Sequence, residues 1–155
     1  MKKKTARKSL IIMLAIVITI AMMPTMAFAG IANGGGQTCG DNLTWELSEN
    51  NETLTIKGEG TTMTDYTNTA LPPWNTHKGQ IKSIDIQASA LTNIGNYAFD
   101  GCANLTTVTL PESVTAIGLG VFGNNALLPS INLSNIKNIN TSAFYGCKSL
   151  ATAEM

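Results

Sequence analysis

The sequence predicts an α/β repeat solenoid that carries a β-hairpin cap at its N-terminal end. The main observation is one apolar pattern that begins at Ile94, Ile117 and Ile139, so successive copies lie 23 and then 22 residues apart. The second is a pair of alternating apolar runs ahead of the repeats. A fixed period of about 20–29 residues with a Leu-x-x-Val-x-Leu core is typical of a leucine-rich repeat.

Each repeat carries an Ile, a Phe and a Leu at equivalent positions. A repeat of this size cannot bury these side chains alone, so they must stack against the same residues in the neighbouring repeats. We therefore expect each repeat to contain a short strand, a bend, a short helical turn and a return. The equivalent residues are Ile94, Ile117 and Ile139; Phe99, Phe122 and Phe144; and Leu105, Leu128 and Leu150.

Two further positions of the repeat exchange glycine with asparagine. Both residue types tolerate positive φ, so we expect left-handed backbone at both positions. The second position follows an Ala-Phe or Val-Phe pair, and there we expect the C-cap of the short helical turn. The first position holds Gly95, Gly118 and Asn140, and the second holds Gly101, Asn124 and Gly146.

Ahead of the repeats, Leu43, Trp45 and Leu47 alternate with polar residues, and Leu54 and Ile56 alternate after an Asn-rich turn. Two such runs joined by a short polar turn predict a β-hairpin. The first repeat has no preceding neighbour, so an atypical unit must cover its apolar end. We assign this role to the hairpin, with Trp45 and Trp74 as its large buried side chains.

The chain begins with the pattern of a secretory signal peptide. A basic segment at residues 1–8 precedes an apolar run from Leu10 to Met23, and Ala27-Phe28-Ala29 forms a small-x-small cleavage site. An uncleaved anchor helix is the alternative, but the run is shorter than the roughly 20 residues that span a bilayer. The predicted division is a signal peptide at 1–29, a flexible leader at 30–39, a cap and tether at 40–80, and repeats at 81–155, truncated without a C-terminal cap.

Removal of the signal peptide leaves five basic residues against ten acidic ones, a net charge of −5. Binding to nucleic acid or to an anionic membrane surface requires clustered Lys and Arg. We therefore expect neither partner, and no stable membrane insertion after cleavage. The expected location is extracellular, either secreted or at the cell surface.

The cysteines and the single histidine do not form a recognisable site. Cys102 and Cys147 occupy one position two repeats apart, roughly 10 Å if strands stack normally, which exceeds the ~7 Å limit for a disulfide. We expect both thiols to be free and buried. A pair of Cys39 with His77 lacks a third group to orient the histidine. No catalytic or metal site is predicted, and the chain is not expected to be an enzyme.

Residues 118–123 match the dinucleotide-binding pattern G-x-G-x-x-G. That fingerprint requires an acidic residue about 20 positions later to bind the ribose. The chain has no Asp or Glu between Glu112 and Glu154, and the repeat already accounts for Gly118 and Phe122. We expect no cofactor.

The outward residues of the predicted strands form the candidate contact surface. These residues alternate with the buried ones and are polar, so a stacked sheet would present them as a regular ladder. Simple solvation of the sheet face is the alternative, because the ladder lacks the aromatic and Arg residues that dominate binding hot spots. The ladder consists of Ser83, Asp85, Thr107, Thr109, Ser130 and Asn132.

The segment from Ile94 to Val114 resembles the BspA-type leucine-rich repeat of bacterial secreted and surface proteins, Ile-Gly-x-x-Ala-Phe-x-Gly-Cys-x-x-Leu-x-x-Val-x-Leu-Pro-x-Ser-Val. The segments Cys39–Trp45 and Pro73-Trp74 resemble the cap placed before such repeats. The resemblance implies display at the cell surface or secretion, and adhesion to host proteins or other cells in some members. The second copy departs from the pattern at Val121 and Asn125.

These observations favour a non-enzymatic module that mediates protein–protein or cell-surface adhesion contacts. One alternative is a spacer or targeting arm of a larger surface enzyme whose catalytic domain lies beyond residue 155. A lower alternative is a glycan-binding module, which exposure of Trp45 or Trp74 on the open surface would favour.

Overall fold

A computed structural model describes residues 38–154 as ten short strands and one 3₁₀ helix, Asn75–His77. The predicted signal peptide and residues 30–37 of the predicted leader lie outside the described residues, as does Met155. The strands are β1 Thr38–Gly40, β2 Leu43–Leu47, β3 Thr53–Gly58, β4 Ser83–Ile86, β5 Asn93–Ile94, β6 Thr107–Thr109, β7 Ala116–Ile117, β8 Ser130–Asn132, β9 Asn138–Ile139 and β10 Thr152–Glu154.

The predicted hairpin is confirmed. β2 and β3 pair antiparallel with Trp45 opposite Ile56, and the apolar residues of both strands face the core. β3 then pairs in parallel with β4, so that Leu54 lies opposite Ile84. The hairpin thus covers the first repeat by extending its sheet.

The predicted leader ends earlier than expected, because Thr38 and Cys39 lie in β1, which pairs antiparallel with β2. The side chain of Cys39 is buried, and the Thr64 N–H donates to the Cys39 carbonyl at 2.9 Å. The pairing with β2 fixes the segment to the hairpin, and the hydrogen bond ties it to the chain that follows β3.

Each of the first two repeats contributes one strand to each of two parallel ladders. In the larger sheet, β4 pairs with β6 and Ile84 lies opposite Val108. In the second ladder, β5, β7 and β9 align Ile94, Ile117 and Ile139 in register. β8 and β10 form a further parallel pair. The repeated isoleucines therefore lie above one another, as their spacing predicts.

The prediction of a short helical turn in each repeat is wrong. Hydrogen-bonded turns occupy these segments, and the 3₁₀ helix Asn75–His77 is the sole helix among residues 38–154. Some turn amides bond within the turn, and others bond to the next repeat. The Phe99 N–H donates to the Val121 carbonyl at 3.0 Å, and the Phe122 N–H donates to the Ala143 carbonyl at 2.8 Å. Stacking thus uses the backbone groups that a helix requires.

One of the two predicted left-handed positions is confirmed. Gly101, Asn124 and Gly146 have φ of 73°, 57° and 76°. They close turns rather than helices, so the prediction that they form helix C-caps is wrong.

The prediction of left-handed backbone at the other position is wrong. That position holds Gly95, Gly118 and Asn140, and none of these residues has positive φ. Glycine is needed at Gly95 for space, because a Cβ there would lie 2.0 Å from the Thr64 carbonyl oxygen. Positive φ occurs two residues further along each repeat. These residues are Tyr97, Gly120 and Ser142, with φ of 54°, 60° and 58°.

An aromatic column runs through the core and links the cap to the repeats. Trp74, Phe99, Phe122 and Phe144 stack in sequence, with ring centroids 5.7, 5.7 and 5.5 Å apart. Trp45 packs against Trp74 in a T-shaped arrangement, with ring centroids 5.8 Å apart. Both tryptophans are buried, as predicted. The Trp74 indole N–H donates to the Ala98 carbonyl at 2.9 Å, which fixes the first ring of the column.

Burial decreases along the repeats. Phe99 and Phe122 are fully buried, whereas Phe144 is partly exposed. Ile94 and Ile117 are buried, whereas Ile139 is 46% exposed. The stabilisation contributed by each apolar position therefore depends on a neighbour on both sides.

The column predicts unequal effects of the same substitution. We expect Phe99→Ala to lower the free energy of unfolding by about 3 kcal/mol or more, because it opens a cavity between two packed rings. Phe144→Ala is the matched control and should cost less than about 2 kcal/mol, because within residues 38–154 Phe144 stacks on one ring only. Urea unfolding curves measure both values, and equal losses would contradict the column.

Candidate functional site

The structure brings four of the six predicted contact residues together on neighbouring strands. Ser83 lies opposite Thr107, and Asp85 lies opposite Thr109, on the outward face of β4 and β6. Both threonines are exposed, whereas Ser83 and Asp85 are half-buried. The Gln87 amide donates to Asp85 Oδ2 at 2.7 Å and holds that carboxylate in place.

The remaining two predicted contact residues lie on β8. Ser130 and Asn132 are exposed, and they pair with Thr152 and Glu154 of β10. β8 contacts β6, but no hydrogen-bonded ladder joins these two strands within the described residues. The six residues thus form two groups rather than one uninterrupted ladder.

The polar face also extends over the cap, which the sequence reading missed. Thr53 lies opposite Ser83, and Thr55 lies opposite Asp85, in the parallel pairing of β3 with β4. The alternation of the hairpin residues was the available signal, because it places these threonines on the face opposite Leu54 and Ile56. We call the outward residues of β3, β4 and β6 the sheet face: Thr53, Thr55, Ser83, Asp85, Thr107 and Thr109.

Two ion pairs lie beside this face. Lys57 pairs with Glu46 on the hairpin, and Lys82 pairs with Glu52 between the hairpin turn and the start of β4. All four side chains are substantially exposed to solvent, so each pair contributes little to stability. The pairs neutralise local charge and leave hydroxyl groups as the main chemistry of the sheet face.

Residues 76–155 match the family described as "BspA type Leucine rich repeat region (6 copies)", which covers just over half of the chain. The chain belongs to the BspA-type leucine-rich repeat family. A search of curated proteins gave no significant match.

Solved structures of bacterial leucine-rich repeat proteins are similar to this BspA-type chain. The leucine-rich repeat protein of Eubacterium ventriosum ATCC 27560 is 32% identical with a TM-score of 0.58, over 65% of this chain and 26% of that chain. The T. pallidum leucine-rich repeat protein is 19% identical with a TM-score of 0.40, over 72% and 68% of the two chains. The Bacteroides ovatus ATCC 8483 protein is 22% identical with a TM-score of 0.33, over 66% and 36%. The BspA-type chain thus spans about a quarter of the length of the E. ventriosum protein.

The cysteine position of the BspA-type repeat has a hydrogen-bonding role. The Cys147 thiol donates to the Phe122 carbonyl at 3.0 Å. In the repeat that departs from the pattern, the Asn125 amide donates to the Phe99 carbonyl at 3.1 Å, and Asn125 is fully buried. Both side chains satisfy the carbonyl of the preceding repeat's phenylalanine, which explains why asparagine can replace cysteine.

All three cysteines of this BspA-type chain are free, and their burial suppresses ionisation. Burial raises the pKa of Cys39 and of Cys102 to about 12, from an ordinary value of 9.0. It also raises the pKa of Cys147, which is only partly buried, so the expectation of full burial fails there. A nucleophilic thiol requires a lowered pKa. His77 lies in the 3₁₀ helix and Cys39 in β1.

The described residues also bear on the dinucleotide-binding pattern, a metal site and a membrane span. Gly118 approaches Asn96 so closely that a Cβ would lie 2.6 Å from Asn96 Oδ1, and Gly120 has positive φ, so the G-x-G-x-x-G pattern reflects repeat packing. Among residues 38–154, no three His, Cys, Asp or Glu side chains are grouped to hold a metal. No helix in that part of the chain has the length and hydropathy of a membrane span.

The buried thiols predict a loss of stability at alkaline pH. Their folded-state pKa lies above the unfolded value, so their contribution is fully present below about pH 9 and falls as the pH rises towards 12. The urea midpoint should therefore fall between pH 8 and pH 10.5. In a Cys39→Ala/Cys102→Ala variant the fall should be smaller, with a remainder from Tyr66, whose pKa burial also raises. An equal fall in both proteins would contradict this origin.

Proposed function

We propose that the chain is a non-enzymatic, secreted or surface-displayed module that mediates protein–protein or cell-surface adhesion contacts through its sheet face. The observation that carries this proposal is the in-register array of hydroxyls and one carboxylate across β3, β4 and β6. Membership of a repeat family that generally binds proteins supports it. The predicted Ser130 and Asn132 extend the proposed surface beyond β6.

The chemistry of the sheet face fits weak, repeated contacts. Neighbouring strands are about 4.8 Å apart, so the hydroxyls form a regular two-dimensional array. The array lacks the Trp, Tyr and Arg side chains that anchor tight interfaces. Binding therefore gains strength through several copies acting together, as expected for adhesion between surfaces.

Secretion is the location that we propose, because residues 1–29 have the pattern of a signal peptide. We propose that the cap and tether run from β1 to residue 80. The repeats begin at residue 81. The net charge of −5 after cleavage disfavours nucleic acid and anionic lipid as partners.

A second candidate is a spacer or targeting arm within a larger surface enzyme. The match to the E. ventriosum chain covers only 26% of that protein, which is compatible with a repeat arm inside a longer chain. Adhesion by the isolated chain would favour the contact module over the spacer. The glycan alternative loses the support that exposed tryptophans would have given, because Trp45 and Trp74 are buried.

The sheet face can be tested with charge substitutions. We expect Thr107→Lys and Asn132→Lys each to reduce binding of the fluorescently labelled chain to bacterial or epithelial cells by about fivefold or more, because a long charged side chain interrupts the flat array. Flow cytometry measures the binding. Thr141→Lys is the matched control, since Thr141 is exposed next to β9 in the second ladder. Unchanged binding by both variants would overturn the assignment of the surface.

A further inference from the structure

A cavity of about 420 Å³ lies between the loop that precedes the repeats and the turn of the first repeat. This volume is within the range typical of small-molecule sites. We call it the cap cleft. Its lining includes Asn68, Leu71, Asn75, Lys78, Tyr97 and Asp100.

The loop side of the cap cleft is held rigidly. Trp74 within this loop is fully buried, stacks on Phe99, and donates to the Ala98 carbonyl. The Thr67 hydroxyl accepts the Ala70 N–H at 2.9 Å, and the Asn75 N–H donates to the Pro72 carbonyl at 2.9 Å. The cleft is therefore formed before any ligand arrives, which lowers the entropic cost of binding.

Tyr97 differs in size from the residues at the equivalent position of the other two repeats. The equivalent residues Gly120 and Ser142 are small, and all three have positive φ. An aromatic residue is strained in this conformation. The ring lies against Gly120, where a Cβ would come within 2.6 Å of Tyr97 Cε1, and the side chain is nevertheless 37% exposed. The first repeat thus maintains a strained, oriented and accessible aromatic ring at the cleft.

The polar groups of the cap cleft can donate and accept several hydrogen bonds. Asp100 Oδ1 accepts from the Asn124 amide at 3.0 Å, which fixes the carboxylate. The Lys78 ammonium lies beside Gly101, and it forms no ion pair within residues 38–154. Asn68 and Asn75 each add an amide that both donates and accepts.

We propose that the cap cleft binds one hexose unit of an oligosaccharide. A sugar has vicinal hydroxyls that both donate and accept, and a C–H face that can lie on the Tyr97 ring. A simple anion would meet the Asp100 carboxylate, and an apolar peptide would cover Lys78 and Asp100 without satisfying them. This site is separate from the sheet face and adds carbohydrate recognition to the proposed contacts with proteins.

The test is to titrate the full chain with maltotriose, cellotriose and N,N′,N″-triacetylchitotriose. Calorimetry and ¹H–¹⁵N NMR measure the binding. We expect at least one trisaccharide to bind, with shifts of the Asn68 and Asn75 side-chain amides. Tyr97→Gly should weaken that binding at least about tenfold. This variant installs the residue that the equivalent position holds in the next repeat, so the fold should tolerate it.

Tyr145→Ala is the matched control, because Tyr145 is 72% exposed but does not line the cap cleft. The Tyr145→Ala variant should bind the sugar with the same affinity as the wild type. No binding of any trisaccharide at concentrations up to about 10 mM, or equal binding by Tyr97→Gly, would overturn the proposal. Thr107→Lys should leave sugar binding unchanged, which separates this result from a failure of the sheet-face proposal.

Discussion

The aromatic column is the interaction on which the rest of the structure depends. Each phenylalanine is too large to be buried within its own repeat, so its burial requires a ring above and a ring below. Trp74 supplies the first of these rings from outside the repeats, and Trp45 packs against it in a T-shaped contact. Among residues 38–154, Phe144 and Ile139 each have a stacked equivalent on one side, and both are more exposed than Phe122 and Ile117.

The column also explains where the proposed sites lie. Stacking of the rings brings successive turns close enough for their amides to bond between repeats, and this holds the strands in register. Register is what aligns Thr53, Ser83 and Thr107 on the sheet face. Burial of Trp74 positions the loop opposite Tyr97 and so forms the cap cleft. One packing requirement thus generates both a broad polar surface and a small concave site.

Much of this fold could be predicted from the sequence, because its determinants are local and periodic. The alternation of Leu43, Trp45 and Leu47 identified the hairpin, and the repeated isoleucines and phenylalanines identified the stack. The turns could not be assigned correctly, because an Ala-Phe turn has the same residues whether its amides bond within a helix or to the next repeat. Tyr97 carried a signal in its contrast with Gly120 and Ser142, but recognising the cleft required the position of a loop that lies between Thr67 and Lys78.

Urea unfolding followed by two probes tests the central claim most directly. Both tryptophans lie in the cap and tether, whereas far-UV circular dichroism reports on the strands of the cap and of the repeats. If the aromatic column joins these parts into one cooperative unit, the two transitions will have the same midpoint and the same slope. A fluorescence transition that is separate from the circular dichroism transition would contradict this account, because it would show that the cap unfolds independently of the repeats.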